Sequence, residues 1–228
     1  MENHPSRVQY DNPKMYHWKS WEPKTPFAPS WDIPIYMDYC DKDITSSLVS
    51  IIEKTDICKH RDRWQTYNIF NWDYLTLKYL RDKIYEVYLE YMGELGHTPL
   101  PMDKIWIRGW GTVVDQYEDI PHHSHAFHEN TYLSGNLSLS DLDTTTDYFF
   151  PYLSWYFGYW KVKNSPGKMT LFPSWLEHEV ASNSTGQVRF SLAFDMFTEH
   201  SLDYVSRNRN KNSVSQNIIL LSKQMSAI

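Results

Sequence analysis

The chain has 228 residues and a formal net charge of −6, with 28 acidic against 22 basic side chains. That length suits one large domain with appendages, able to bury a substantial core without disulfide staples, and the acidic balance argues against a nucleic-acid partner. The only cysteines, Cys40 and Cys58, make no disulfide scaffold; no apolar run is long enough to cross a bilayer, and "MENHPSRVQY" lacks the apolar stretch of a signal peptide, so a cytoplasmic protein with no membrane partner is expected.

Residues 1–31 carry prolines at 5, 13, 23, 26 and 29 among aromatic rings and show no period. Proline opposes both helix interiors and central strands, so this stretch reads as an extended arm. It would suit packing on its own domain, or assembly contacts with a second copy or another partner. "DIPIYMDYC" (32–40) alternates as a first strand would. A helix is expected over about 44–57, capped near Asp43 to Thr45, with Leu48, Ile51 and Ile52 on its apolar face. A second is expected over about 72–95, where Leu75, Leu77, Leu80, Ile84, Val87, Tyr88 and Tyr91 recur at three- and four-residue steps. Asn71 or Asp73 could cap its start, and Gly93 or Gly96 could end it.

From about 104 to 198 the character changes. "KIWIRGWGTVVDQY", "TYLSGNLSLS", "GYWKVK", "GKMTLFP", "LEHEVAS" and "QVRFSLAFDMFT" are short, alternating or rich in β-formers, and separated by turn residues. Helices followed by a run of strands define an α+β domain over 32–198, with a β-sandwich or barrel carrying helices at one side. Residues 199–228 form a polar C-terminal extension with one apolar cluster, "IILL".

Four of the ten histidines fall in "PHHSHAFHENTYLSG": His122, His123, His125 and His128. In a strand, residues two apart point to one side, so His123 and His125 project together while His122 faces the other way. Two adjacent imidazoles repel when both are protonated, and sharing a metal through neutral nitrogens is a stable use of such a pair. A third ligand is available in "SPGKMTLFPSWLEHEV", where Glu177 and Glu179 would face away from His178. Eleven residues after His178 comes Arg189, and Ser191 shares its face. A guanidinium fork beside a hydroxyl is a receptor for a carboxylate.

The ordered set "IWIRGWGTVVDQYEDIPHHSH", "YLSGNLSL", "SPGKMTLFPSWLEHEV" and "VRFSLAF" resembles the iron(II)- and 2-oxoglutarate-dependent oxygenases. More narrowly, it looks like those common in tailed phages and marine microbes. The resemblance covers about residues 104–197. It implies a double-stranded β-helix (jelly-roll, cupin-like) core and an Fe(II)/2-oxoglutarate dioxygenase that hydroxylates a small-molecule or peptidyl substrate with release of succinate and CO2. The cofactors implied are Fe(II), 2-oxoglutarate and O2. Residue by residue, it implies that His123, His125 and His178 hold the iron, that Arg189 with Ser191 receives the distal carboxylate of 2-oxoglutarate, and that Asn136 meets its other end. A viral source would place the protein in the host cytoplasm. The commonest facial triad has a carboxylate where this chain has His125, and His128 fits the family's spacing to "SG" as an alternative second ligand.

"DYFFPYLSWYFGYW" (147–160) holds nine aromatic residues in fourteen positions. As an insertion at the barrel mouth it would form a lid or substrate platform, with Tyr152, Trp155 and Tyr156 as its contacts; equally, the rings could pack the barrel exterior. Two other function classes fit the residues: a three-histidine zinc or cupin-type enzyme with one open position, and a non-catalytic jelly-roll binding or virion structural protein. Neither needs the dicarboxylate receptor that Arg189 and Ser191 offer.

Overall fold

The computed structural model describes residues 14–20, 22–126, 131–150, 159–202 and 217–222. Among the described residues, strands and α-helices run in the order β1 (Lys14–Lys19), β2 (Asp32–Tyr39), α1 (Lys42–Lys54), α2 (Leu75–Glu94), β3 (Trp106–Val114), β4 (Ile120–His123), β5 (Leu133–Ser138), β6 (Thr145–Phe149), β7 (Tyr159–Lys163), β8 (Lys168–Pro173), β9 (Glu177–Val180), β10 (Arg189–Phe197) and β11 (Ile219–Leu220). A larger sheet has the order β1-β2-β8-β5-β10-β3-β11 and a smaller one the order β4-β9-β6-β7. From β3 onward the chain passes back and forth between the two sheets, and every described pairing is antiparallel. This is the double-stranded β-helix with flanking helices that the sequence resemblance implies.

Each face of the larger sheet is covered differently. Leu48 and Ile52 of α1 and Leu80, Ile84 and Tyr88 of α2 pack with Leu137, Leu192, Phe194 and Met196 on the outer face. The inner face of β2 and β8 packs against the smaller sheet through Ile33, Ile35, Met37, Tyr148, Trp160 and Phe172. Fully burying such a side chain contributes about 1.5–3 kcal/mol, so these two clusters hold the helices and close one part of the barrel.

Several element boundaries differ from the expected ones, each for a local reason. β1 lies within the stretch read as an irregular arm. It is an edge strand paired to β2, and none of the prolines falls inside it. Neither Asn71 nor Asp73 caps α2, whose N-cap is Tyr74 with no side-chain bond. A 3-10 turn, Ile69–Asn71, comes first and takes its cap from Asn68 instead. α1 begins at Lys42 and ends at Lys54, leaving Ile57 in a separate 3-10 turn, Asp56–Lys59. Asp147, Tyr148 and Phe149, read as the start of an insertion, belong to β6, and Tyr159 and Trp160 belong to β7. Tyr148 and Trp160 are therefore core residues. Residues 1–13 of the arm and 203–216 and 223–228 of the extension lie outside the described residues. No described helix is long and apolar enough to cross a membrane.

Gly135 shows how tightly the helices press on the barrel. It pairs directly with Phe194 across β5 and β10, and a Cβ at this position would stand 2.2 Å from the Phe194 ring. The ring has no room to retreat, because Phe194 is itself fully buried under the helices. Gly135→Ala is expected to destabilise the protein by about 1–3 kcal/mol. A thermal melt should show it as a fall of several degrees, and an unchanged melting temperature would mean that the ring relaxes freely.

Candidate active site

The three histidines come together where β4 and β9 pair. His123 and His178 are direct partners in the register of the two strands, so their rings stand side by side with centroids 4.4 Å apart. The expectation for His125 was a strand position two beyond His123. β4 instead ends at His123, and His125 lies past its end, where its backbone N–H donates to the Ser174 carbonyl at 2.9 Å. That bond brings the His125 ring to 5.1 Å from His178 and 5.2 Å from His123. His122 faces outward, 3.0 Å from the Glu177 carboxylate. His128 lies outside the described residues, as do Tyr152, Trp155 and Tyr156.

The tautomers follow from the partners. His123 Nδ1 stands 2.7 Å from the Pro121 carbonyl and His178 Nδ1 stands 3.0 Å from the Leu176 carbonyl. A carbonyl only accepts, so both Nδ1 atoms carry the proton and both Nε2 atoms are free lone pairs. His125 Nδ1 likewise donates to the Asp195 carboxylate at 2.5 Å. One nitrogen from each of the three residues lies inside a common 4.8 Å span, so all three can turn a lone pair to one ion. His123 Nε2 and His125 Nε2 are 3.2 Å apart, so a proton on His125 Nε2 or a metal shared by both can bridge them. Two ligands of one metal at bond lengths near 2.1 Å stand roughly 3.0–3.4 Å apart. A divalent ion held by the three nitrogens together would satisfy all of them at once.

Burial holds the His178 pKa well below the ordinary histidine value, and the neighbouring His125 and His123 lower it further. His123 is lowered by the same two causes, burial first and His125 second. The unfolded chain binds these protons near pH 6.5, so it binds more of them than the folded protein does. Stability of the metal-free protein is present above pH 6.5 and is expected to fall as pH drops below it. Each of the two histidines adds up to about 1.4 kcal/mol of loss per pH unit until its own folded-state value is reached. Denaturant titrations in chelator between pH 8 and pH 5.5 measure this, and a flat profile would contradict a neutral cluster.

A cavity of about 550 Å³ opens onto the histidines, and Arg189, Ser191, Asn136 and Thr112 line it as well. On β10, Arg189, Ser191, Ala193 and Asp195 share one face by the two-residue period, while Leu192, Phe194 and Met196 pack under the helices. The same face of β3 offers Arg108, Trp110, Thr112 and Val114, which pair in register with Asp195, Ala193, Ser191 and Arg189. Arg189 is 1% exposed, yet its Nε, Nη1 and Nη2 have no hydrogen-bond partner among the described residues. Burial pushes its pKa down to about 10, which leaves it charged at neutral pH. A buried guanidinium without a counter-ion is costly, and its free donors suit an oxyanion brought by a ligand. The histidine cluster therefore fits a metal and Arg189 fits a carboxylate within one cavity.

Sequence reasoning missed several groups here. Asp195 accepts from His125, from Arg108 Nη2 at 2.9 Å and from Ser134 Oγ at 2.8 Å. Parity could have found it, since it lies an even six residues from Arg189 and a carboxylate on an inward face needs partners. Trp64 and Trp110, with ring centroids 4.8 Å apart, wall the cavity. Trp64 comes from a 3-10 turn, Arg61–Thr66, whose place at the barrel no local pattern announces.

Comparison with known proteins agrees with this architecture. Residues 151–195, about a fifth of the chain, match a family described as "Putative 2OG-Fe(II) oxygenase". The matched segment contains His178, Arg189 and Ser191, and ends at Asp195. No curated protein matches the chain. A prolyl-4-hydroxylase from Pseudomonas putida is 14% identical, with a TM-score of 0.52 over 72% of this chain and 86% of that one. HygX from Streptomyces hygroscopicus, solved with nickel and 2-oxoglutarate bound, is 14% identical, with a TM-score of 0.52 over 72% of this chain and 82% of its own. The epimerase SnoN, in complex with Fe3+, alpha ketoglutarate and nogalamycin RO, is 12% identical, with a TM-score of 0.54 over 72% and 78% of the two chains. The chain thus resembles the 2OG-Fe(II) oxygenases in sequence over one segment and in fold across the barrel. Identities this low speak for the fold alone.

Proposed function

We propose that this protein is an Fe(II)- and 2-oxoglutarate-dependent dioxygenase that hydroxylates a small-molecule or peptidyl substrate. The observation that carries the reading is Arg189: a buried, charged guanidinium with no hydrogen-bond partner among the described residues, in the same cavity as three imidazoles that can share one ion. His123, His125 and His178 would hold the iron. Arg189 would take the distal carboxylate of 2-oxoglutarate through its fork, with Ser191 beside it and Asn136 toward the cosubstrate's other end. Bound Fe(II) with 2-oxoglutarate and O2 supplies an oxidation coupled to loss of CO2 and formation of succinate.

The protein's own part is placement. Two backbone carbonyls and one carboxylate hold all three imidazoles in the Nδ1–H tautomer, so the nitrogens facing the cavity stay free for metal. The antiparallel pair β3 and β10 carries the anion receptor on the same inward face as Asp195, so one rigid ribbon sets the distance between receptor and metal ligands. Trp64 and Trp110 keep water from one side of the cavity and offer a flat apolar wall to substrate. The fold does not choose the reaction, since a prolyl hydroxylase and an epimerase share it. Placement of the substrate against that wall decides the outcome.

A zinc hydrolase or an assembly protein built on the same barrel would leave Arg189 without its anion. The deciding experiment is anaerobic addition of Fe(II) and 2-oxoglutarate to the full chain, following the weak visible charge-transfer absorption of the chelate. Succinate release is then measured on admitting O2. A band with slow succinate formation is the expected result. Bound metal with neither band nor succinate would overturn the reading in favour of a zinc or cupin-type enzyme. No bound metal would favour a structural role.

A further inference from the structure

The ligand set carries no negative charge, and the structure places a carboxylate directly behind one of its members. Asp195 is 2% exposed. Its Oδ1 accepts from His125 Nδ1 at 2.5 Å and from Ser134 Oγ at 2.8 Å, and its Oδ2 accepts from Arg108 Nη2 at 2.9 Å. Arg108 is wholly buried and lies against the faces of Trp64 and Trp110 at 4.8 and 5.3 Å. Ser134 Oγ is 2.9 Å from Ser174 Oγ, and the Ser174 carbonyl holds the His125 backbone. The same small network therefore grips His125 by its ring and by its main chain.

We propose that Asp195 is a positioning residue for the metal. It fixes His125 as an Nε2 donor, and through the imidazole it lends the site the negative charge that a carboxylate ligand would otherwise bring. Three features of the geometry support this over a purely structural ion pair. Arg108 engages one oxygen of Asp195, and the other is turned to the ligand. His123 and His178 rest on neutral carbonyls, so among the described residues His125 alone of the three has an anionic partner. His125 also lies beyond the end of β4, where strand geometry no longer aims its ring and an added anchor is needed. A carboxylate hydrogen-bonded to a ligating histidine orients the ring and raises its basicity, and its removal commonly costs 10- to 100-fold in metal affinity.

The inference rests on the three-histidine site holding a divalent metal, and its test needs neither 2-oxoglutarate nor turnover. Metal-free full-length protein is titrated with Co(II), reading the dissociation constant by chelator competition and the visible d–d band. Wild type is compared with Asp195→Asn, Asp195→Glu and Ser134→Ala. Asp195→Asn can still accept from His125 Nδ1 but has lost the charge. It is expected to bind Co(II) about 10- to 100-fold more weakly, with a displaced band. Ser134→Ala removes one of the carboxylate's hydrogen bonds while keeping its charge and its bond to His125, so it is expected to bind Co(II) within about fivefold of wild type. A merely structural Asp195 would lower the melting temperature of the metal-free protein and leave the affinity and band of the folded fraction untouched. That result in Asp195→Asn overturns the proposal. If the loss of charge beside Arg108 prevents folding, Asp195→Glu decides: it keeps the charge but shifts the carboxylate relative to His125 Nδ1, and unchanged affinity and band there overturn the proposal equally. Failure of wild type to bind Co(II) would sink the metal reading itself, which is a different outcome from a wild type and a variant that bind alike.

Discussion

Arg189→Met is expected to abolish 2-oxoglutarate binding and, at the same time, to raise the melting temperature of the protein without ligands. Each half follows from the same geometry. The side chain is 1% exposed and its three guanidinium nitrogens lack partners among the described residues, so there the folded protein without ligands carries a buried charge with no counter-ion. Such a charge costs several kcal/mol, and an unbranched apolar replacement of similar length removes that cost while filling the space. The carboxylate of the cosubstrate would reverse the balance by supplying two charge-assisted bonds, each contributing about 1.5–3 kcal/mol. Their loss corresponds to a weakening on the order of 100- to 10,000-fold, measurable by calorimetric titration of 2-oxoglutarate into anaerobic metal-loaded protein. Metal affinity itself should hardly change, since Arg189 does not contact the histidines. Arg189→Lys should rescue poorly, because a single ammonium cannot reproduce the planar fork. A variant that melts lower and binds 2-oxoglutarate like wild type would show that Arg189 has a structural partner and is no receptor.

His178→Ala is the second large effect, and it should remove the metal. His178 is buried between the rings of Phe172 and Tyr148, at centroid distances of 5.0 and 5.8 Å. No other His, Cys, Asp or Glu among the described residues completes the cluster of three. Losing one of three ligands is expected to weaken metal binding on the order of 100-fold or more. The substitution also leaves a cavity, so the metal-free protein should lose about 2–4 kcal/mol at pH 8. Its pH profile gives a sharper signature. His178 is held neutral by burial and by its two neighbours, so its removal should reduce the loss of stability that wild type suffers below pH 6.5. Variant and wild type would therefore differ less at pH 5.5 than at pH 8. A variant that still binds Fe(II) tightly would move the centre elsewhere in the chain.

The fold class and the outline of this site were legible in the residues because both depend on local rules. Alternation with period two marks strands wherever one face is buried. Parity along a strand assigns Arg189 and Ser191 to one face without any knowledge of what lies opposite. The turn elements of "FPSWLEH" and the step to "RFS" are likewise short-range patterns. His122 was separable from His123 for the same reason, and in the structure it turns outward to Glu177.

What the tertiary structure decided concerns partners from distant parts of the chain. The aromatic run 147–160 reads as one segment, but its first and last residues are strands β6 and β7. Cross-strand pairing, to which composition is blind, assigned them there. Asp195 stands in a quoted motif, yet its meaning depends on Arg108 and His125, eighty-seven and seventy residues away. His125 itself joins the cluster from beyond its strand, held by a backbone bond to Ser174. By itself the sequence determined the run of strands after helices, the histidines available as ligands and the shared face of Arg189 and Ser191, since these follow from the period of a single strand, while the jelly roll came from the family resemblance. Sheet registry, a long-range property in which a one-residue slip reverses every side chain, together with the backbone bond that anchors His125, decided that three imidazoles and the Arg189 guanidinium would meet around a common cavity with Asp195 behind His125.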